Sequence, residues 1–196
     1  MRDIVVMGSP VGGAAALREI VAALPADLPA AVLIALNTTP GNPILLADVL
    51  NSPGGMRATE ALDGEPIEKS RIYVAADGKH LTLDGSMIRL NSDAAENKRA
   101  PSIDVLFRSA AAAYKKRVVA VLVLHAHDEG ALGLRAVRSN GGTVVTHRNA
   151  HMPTSPRDPE NGEELAHDHL ALKEIPPRLI AYVTEVNGNG VAAREH

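Results

Sequence analysis

The chain has 196 residues and a mass of 20.6 kDa, a length typical of one domain. It carries a net charge of −3, 45% apolar residues, 2% aromatic residues and no cysteine. The lack of cysteine excludes disulfides and cysteine-based zinc sites, and the few aromatic and basic residues disfavour nucleic-acid binding. Since no apolar run is long enough to span a membrane and no signal peptide fits, we expect a cytoplasmic protein without membrane insertion.

The first half of the chain predicts alternating strands and helices. Apolar residues 4–7 and 30–36 predict buried strands, and apolar residues recur at helical spacing over 14–24. A second helix is predicted from Pro43 to about Leu50, because proline suits the first turn of a helix. This alternation is typical of a mainly parallel sheet with helices on both faces.

Residues 56–91 predict a different, antiparallel arrangement. Three short runs alternate in polarity here: 71–75, 79–83 and 86–90. They are separated by Asp77-Gly78 and Asp84-Gly85, which are turn signals of β-hairpins. We therefore expect a small antiparallel hairpin insertion over about 56–91.

The α/β pattern then resumes. Ser102 is a suitable N-cap for a helix through Tyr114, and residues 118–124 are apolar throughout, which predicts a central strand. The remaining predicted elements are a helix over 129–140, a strand over 143–146, a loop over 151–162, a short strand over 169–172 and a helix over 175–183. The sequence thus predicts one doubly wound α/β domain over residues 1–186 and a flexible tail over 187–196.

Three loops of this fold are expected to meet at one crevice: 8–13, 37–41 and 125–130. Each follows a predicted parallel strand, and ligands of such sheets bind outside the carboxyl ends of the strands. Candidate ligand-binding residues are therefore Gly12, Gly13, Asn37 and His125. Backbone N–H groups of the glycine-rich loop could hold an oxyanion, although the loop matches neither a dinucleotide nor a P-loop motif. The alternative is that its glycines only allow close packing.

The third loop allows a metal-binding hypothesis. His125 and His127 share a side of an extended chain, and with Asp128 or Glu129 they could bind a divalent metal. His147 and His151 are further candidate ligands from the neighbouring strand end. The alternative is that these polar residues are solvated, and we expect no cofactor.

The same loops allow a hydrolase hypothesis. Ser9 lies at a strand-to-helix turn, where a nucleophile would be exposed. His127 or His125 would then be the base, and Asp128 or Glu129 would orient it. The alternative is that Ser9 only closes the turn.

Taken together, these segments resemble the CheB-type chemotaxis protein-glutamate methylesterase family. The resemblance covers roughly residues 4–185 and is carried in order by Gly8–Gly13, Leu36–Gly41, Ala75–His80, Arg99–Phe107, Ala126–Gly130 and Leu172–Leu179. Its most specific part is the Pro-Ser-Ile-Asp-Val-Leu-Phe stretch that ends at Phe107. The resemblance implies a doubly wound α/β domain with a hairpin insertion that hydrolyses glutamate methyl esters of chemoreceptors. It also implies a Ser-His-Asp triad, no metal, and a chemoreceptor or another signalling protein as partner.

The sequence departs from this family at the triad itself. The family's serine falls at Pro10, its histidine at Asn37 and its aspartate at Glu129. Proline has no hydroxyl group and asparagine cannot act as a general base, and triad members act as a unit. Ser9 lies one residue early, so its side chain points in another direction. We therefore predict a binding or regulatory module that has lost the esterase chemistry, without a receiver domain. A rearranged active hydrolase and a metal site are the alternatives.

Overall fold

A parallel sheet forms the frame of the structure, a computed structural model that describes residues 1–37, 45–92, 100–124, 130–150 and 153–185. Its strands within these ranges are β1 (Ile4–Ser9), β2 (Ala31–Leu36), β3 (Arg57–Glu60), β4 (Arg71–Val74), β7 (Val118–Leu122), β8 (Thr143–His147) and β9 (Asp168–Leu170). A separate hairpin consists of β5 (His80–Asp84) and β6 (Met87–Asn91). The helices are α1 (Ala14–Ala22), α2 (Leu46–Leu50), α3 (Ile103–Tyr114), α4 (Ala131–Ser139) and α5 (Ile175–Thr184).

The order of the strands confirms the doubly wound α/β prediction. The order is β3-β4-β2-β1-β7-β8-β9, and every neighbouring pair in this sheet is parallel. Strand order reverses between β1 and β7, which creates a switch point beside the carboxyl end of β1. The strand expected to be central, β7, lies next to the middle strand, β1. A fully apolar sequence reports burial on both faces and does not specify the position in the sheet.

The antiparallel insertion is confirmed over a shorter range than expected. Among the described strands, β5 and β6 form the antiparallel pair, and an antiparallel bridge adds Pro66 to Met87 of β6. β3 and β4 are instead parallel strands of the main sheet. β4 pairs with β2 and is buried from Ile72 to Val74, as an interior strand requires. The side chain of Asn51 holds β3 in place, since it accepts from the N–H of Ala58 and donates to its carbonyl, both at 3.0 Å.

Helices cover both faces of the sheet and enclose two aliphatic cores. α1, α2 and α5 pack on one face, where β1 contributes Val5 and Met7. α3, α4 and the hairpin pack on the other face, where β1 contributes Ile4 and Val6. No helix among the described residues is long and apolar enough to cross a membrane. The tail expected over 187–196 lies outside these residues.

α3 approaches β1 so closely that only glycine fits at the contact. A Cβ atom on Gly8 would lie 2.4 Å from Cγ2 of Ile103, the first residue of α3. This contact brings the start of α3 to the carboxyl end of β1, where the predicted crevice lies.

Candidate functional site

The carboxyl ends of β1, β2 and β7 meet as predicted. The N–H of Asn37, just after β2, donates to the carbonyl of Ser9 at 3.0 Å. On the other side, the N–H of Val123, just after β7, donates to the carbonyl of Gly8 at 2.9 Å. Asn37, the first residue of the second predicted loop, therefore lies beside the end of β1, and so does Val123, which precedes the third loop.

Ser9 is buried rather than exposed in the crevice. It is the last residue of β1 and is 0% exposed, and its hydroxyl donates to the backbone carbonyl of Val123 at 3.0 Å. The side chain occupies the space that a side chain at position 13 would need, because a Cβ atom on Gly13 would lie 1.7 Å from the Ser9 Oγ. The expectation of an exposed hydroxyl at this turn is therefore not met, since alternation along β1 directs Ser9 to the same face as Val5 and Met7.

One backbone N–H group of the glycine-rich turn is used within the turn itself. The N–H of Gly13 donates to the carbonyl of Pro10 at 3.2 Å, so this group is already occupied. Gly12 lies at the surface with a φ of 94°, a conformation that favours glycine. Pro10 is half-buried, and Val11 beside it is 53% exposed. The surface of the turn is therefore apolar.

Asn37 is a buried polar residue at the same edge. It is 6% exposed, and its Oδ1 atom is sealed from solvent with no hydrogen-bond donor in the described part of the chain. A buried acceptor without a donor costs about 1–3 kcal/mol, and an amide at this position cannot accept a proton as imidazole does. Asn37 thus supplies a neutral acceptor where the family resemblance implies a base.

A histidine also lies at this level of the sheet, on the face that carries Ser9. His147 ends β8, one residue beyond Thr146, which pairs with Leu122 of β7. Its Nδ1 atom is buried with no hydrogen-bond partner in the described ranges. Burial lowers the pKa of His147, the nearby His169 lowers it further, and Glu19 opposes both effects. The lowered pKa favours the neutral imidazole. The Ser9 hydroxyl donates to the carbonyl of Val123 and not to this ring.

The remaining predicted site residues lie outside the described residues: His125, His127, Asp128, Glu129 and His151. The metal-binding and rearranged-hydrolase hypotheses that depend on them stay predictions. Among the residues that the structure describes, no group of three or more histidine, aspartate or glutamate side chains could hold a metal ion.

His80, the last residue of the Ala75–His80 segment that carries the family resemblance, also shapes this edge, although the sequence predicted no contact for it. His80 is buried, and its Nδ1 atom accepts the backbone N–H of Ser102 at 3.2 Å. The ring must therefore carry its proton on Nε2 when neutral. Ser102 in turn caps α3 by accepting from the N–H of Val105. His80 thereby anchors the start of the helix that packs on Gly8, a long-range contact with no signal in the local pattern.

Comparison with known proteins identifies related sequences. The model of the CheB methylesterase family matches residues 5–179. A protein-glutamate methylesterase/protein-glutamine glutaminase 5 of Myxococcus xanthus is 35% identical over 149 residues, which cover 74% of this chain and 43% of that protein. A second such protein from Caulobacter vibrioides is 36% identical over 148 residues, covering 73% of this chain and 43% of that protein. The chain thus spans less than half the length of these relatives.

A solved structure shares the fold. The catalytic domain of the Thermotoga maritima CheB methylesterase superposes with a TM-score of 0.81 at 27% sequence identity. The match covers 93% of this chain and 100% of that domain. The seven-stranded sheet and its hairpin therefore correspond to a catalytic domain rather than to the whole length of the relatives.

Proposed function

This chain belongs to the CheB methylesterase family, and we propose that it keeps the family fold without the Ser-His-Asp esterase chemistry and acts as a binding or regulatory module. The observation that carries the proposal is the pair Pro10 and Asn37 at the positions implied for nucleophile and base. Pro10 has no hydroxyl group, and Asn37 cannot take a proton from one. Because triad members act together, loss of either role removes the mechanism.

The surroundings of Ser9 support this proposal. A nucleophile needs an accessible oxygen with a base within about 3 Å, whereas the Ser9 hydroxyl is 0% exposed and donates to a backbone carbonyl. Gly13 packs directly against it. The neighbouring serine is therefore a poor substitute for the hydroxyl missing at position 10.

Exposed apolar residues at this edge support a protein partner. Val11, Leu45 and Leu132 are each more than half exposed, and they follow β1, precede α2 and begin α4, respectively. Burial of such side chains against another protein is favourable, because it removes apolar surface from water. Since the named relatives act on protein side chains, we propose a chemoreceptor or another signalling protein as the partner.

The first test measures methanol released from a methylated chemoreceptor and ammonia released from its glutamine form. We expect no release by the natural chain and partial release by the double variant P10S/N37H, which restores a hydroxyl and an imidazole. The matched control P53S/N161H makes the same replacements at exposed positions and stays inactive. Methanol release by the natural chain, abolished by a substitution at this edge, would contradict the proposal.

The alternative is an active hydrolase with a rearranged site, and the names of the relatives favour it. In that case Ser9 is the nucleophile, His127 or His125 the base, and Asp128 or Glu129 the orienting carboxylate. A fluorophosphonate probe separates the two proposals, because it labels an activated serine. Labelling of Ser9, lost in S9A, would favour the hydrolase.

A further inference from the structure

A cavity of about 360 Å³ opens at the amino-terminal edge of the sheet, at the end opposite Ser9. This amino-edge cavity lies among the starts of β1 and β2, the end of α3 and the turn of the hairpin. Its walls include Asp3, Ile4, Ile67, Lys69, Tyr114 and Arg117. Its volume is at the lower end of the range for small-molecule sites.

The guanidinium group of Arg117 is fixed in this cavity on one edge and one face. Its Nε and Nη2 atoms donate to the two carboxylate oxygens of Asp3 at 2.7 and 2.8 Å. Its central carbon lies 4.9 Å from the centre of the Tyr114 ring. Asp3 is itself buried, and its N–H donates to the carbonyl of Arg117 at 3.2 Å. These contacts restrict the guanidinium to one orientation.

The other edge of this guanidinium is free to bind a ligand. Arginine has five N–H donors, and Asp3 accepts two of them. The outward edge, formed by Nη1 and the second N–H of Nη2, has no acceptor among the residues that the structure describes, and the side chain is 49% exposed. Two parallel N–H groups in a fixed plane match the geometry of a carboxylate.

The charge and the walls of the cavity define the ligand further. Lys69 places its Nζ atom 3.7 Å from the Asp3 carboxylate, so two cations share one anion and a positive charge remains. The walls from Ile4, Ala31 and Ile67 are apolar. A ligand that satisfies both features carries one negative charge at one end and an aliphatic or aromatic body at the other.

We propose that the amino-edge cavity binds a small organic monocarboxylate. Its carboxylate group binds the outward edge of Arg117 in a bidentate manner, and its apolar body packs on Ile4 and Ile67. Because this cavity lies at the opposite end of the sheet from Pro10 and Asn37, it is a second site, independent of the protein partner proposed above.

The experiment is an NMR titration of the ¹⁵N-labelled full chain with hexanoate and with hexanamide, which has the same shape and no charge. We expect hexanoate to shift the amide signals of residues around Tyr114 and Arg117 with a dissociation constant in the range of about 1 mM. Hexanamide is expected to bind roughly tenfold more weakly, because it has no charge and offers the two N–H groups one acceptor oxygen instead of two. Equal binding of the two probes, or no shift at about 50 mM hexanoate, would refute the proposal.

Two variants locate the site. R117K keeps the charge but loses the planar fork, so we expect roughly tenfold weaker binding of hexanoate. The control K116Q removes a neighbouring exposed charge and is expected to weaken binding less than about twofold. Unchanged affinity for hexanoate in a folded R117K variant would refute the proposal. If R117K does not fold, K69Q is measured in its place, and we expect it to weaken hexanoate binding about threefold.

Discussion

The hydroxyl of Ser9 is predicted to stabilise the fold rather than to react. Its Oγ donates to the Val123 carbonyl at 3.0 Å in a site without solvent exposure. A hydrogen bond of this kind contributes about 0.5–1.5 kcal/mol, and more when its loss leaves a buried acceptor unpaired. We therefore expect S9A to lower the free energy of unfolding by about 1–2 kcal/mol.

The contact between Ser9 and Gly13 predicts strong coupling between the two positions. A methyl group at position 13 would lie 1.7 Å from Oγ and 2.6 Å from Cβ of Ser9, so G13A is expected to cost about 1–3 kcal/mol from overpacking. In S9G/G13A both of these atoms are absent, and the nearest remaining atom is the Pro10 carbonyl oxygen at 3.4 Å. We expect the double variant to cost at least about 1 kcal/mol less than the sum of the single variants.

Urea unfolding followed by circular dichroism measures these changes, since the chain has no tryptophan. S139A is the matched control, because Ser139 is an exposed residue at the end of α4. If S9A were as stable as S139A, or if the free-energy changes at positions 9 and 13 were additive, the structural role assigned to the hydroxyl would be wrong.

The ion pair between Asp3 and Arg117 predicts that stability depends on pH in the acid range. Burial raises the pKa of Asp3, but the hydrogen bond and the charge of Arg117 lower it more, to below its usual value. This stabilisation is therefore present at neutral pH and is lost as the pH falls below about 4, so D3N is expected to cost about 1–2 kcal/mol at pH 7 and to flatten the acid part of a stability–pH curve. If the free energy of unfolding of D3N fell as steeply with decreasing pH as that of the parent, this prediction would be wrong.

The pKa of His147 is lowered, chiefly by burial, so the unfolded chain takes up a proton first and stability falls as the pH drops below about 6.5. The urea midpoints at pH 7.5 and pH 5.5 should therefore differ less in H147Q than in the parent. The same difference in both proteins would show that His147 does not contribute to the pH dependence. G8A is expected to lower the free energy of unfolding by about 1–3 kcal/mol through its contact with Ile103. The cost of G8A should be smaller when it is measured in an I103A background than in the parent chain. If urea or thermal unfolding gave the same cost of G8A in both backgrounds, the clash with Ile103 would not be its cause.

Much of the fold is predictable from local patterns. The hairpin follows from Asp84-Gly85, where Gly85 has a φ of 57° as such a turn requires. The start of α3 follows from Ser102, which accepts from the N–H of Val105 as an N-cap does. The antiparallel prediction is wrong for β3 and β4, because short alternating runs do not specify which strand they pair with.

The sequence by itself also determines which chemical groups stand at the carboxyl edge of the sheet. Whether a side chain carries a hydroxyl or an imidazole does not depend on folding, so Pro10 and Asn37 exclude these groups at their positions in any conformation. What a side chain contacts depends instead on the register between strands that are far apart in the chain. The Ser9 hydroxyl meets the Val123 carbonyl, and Asp3 meets Arg117, each across 114 residues. Only the assembled sheet decides that one of these polar groups is sealed in the core while the other holds a cation at an open cavity.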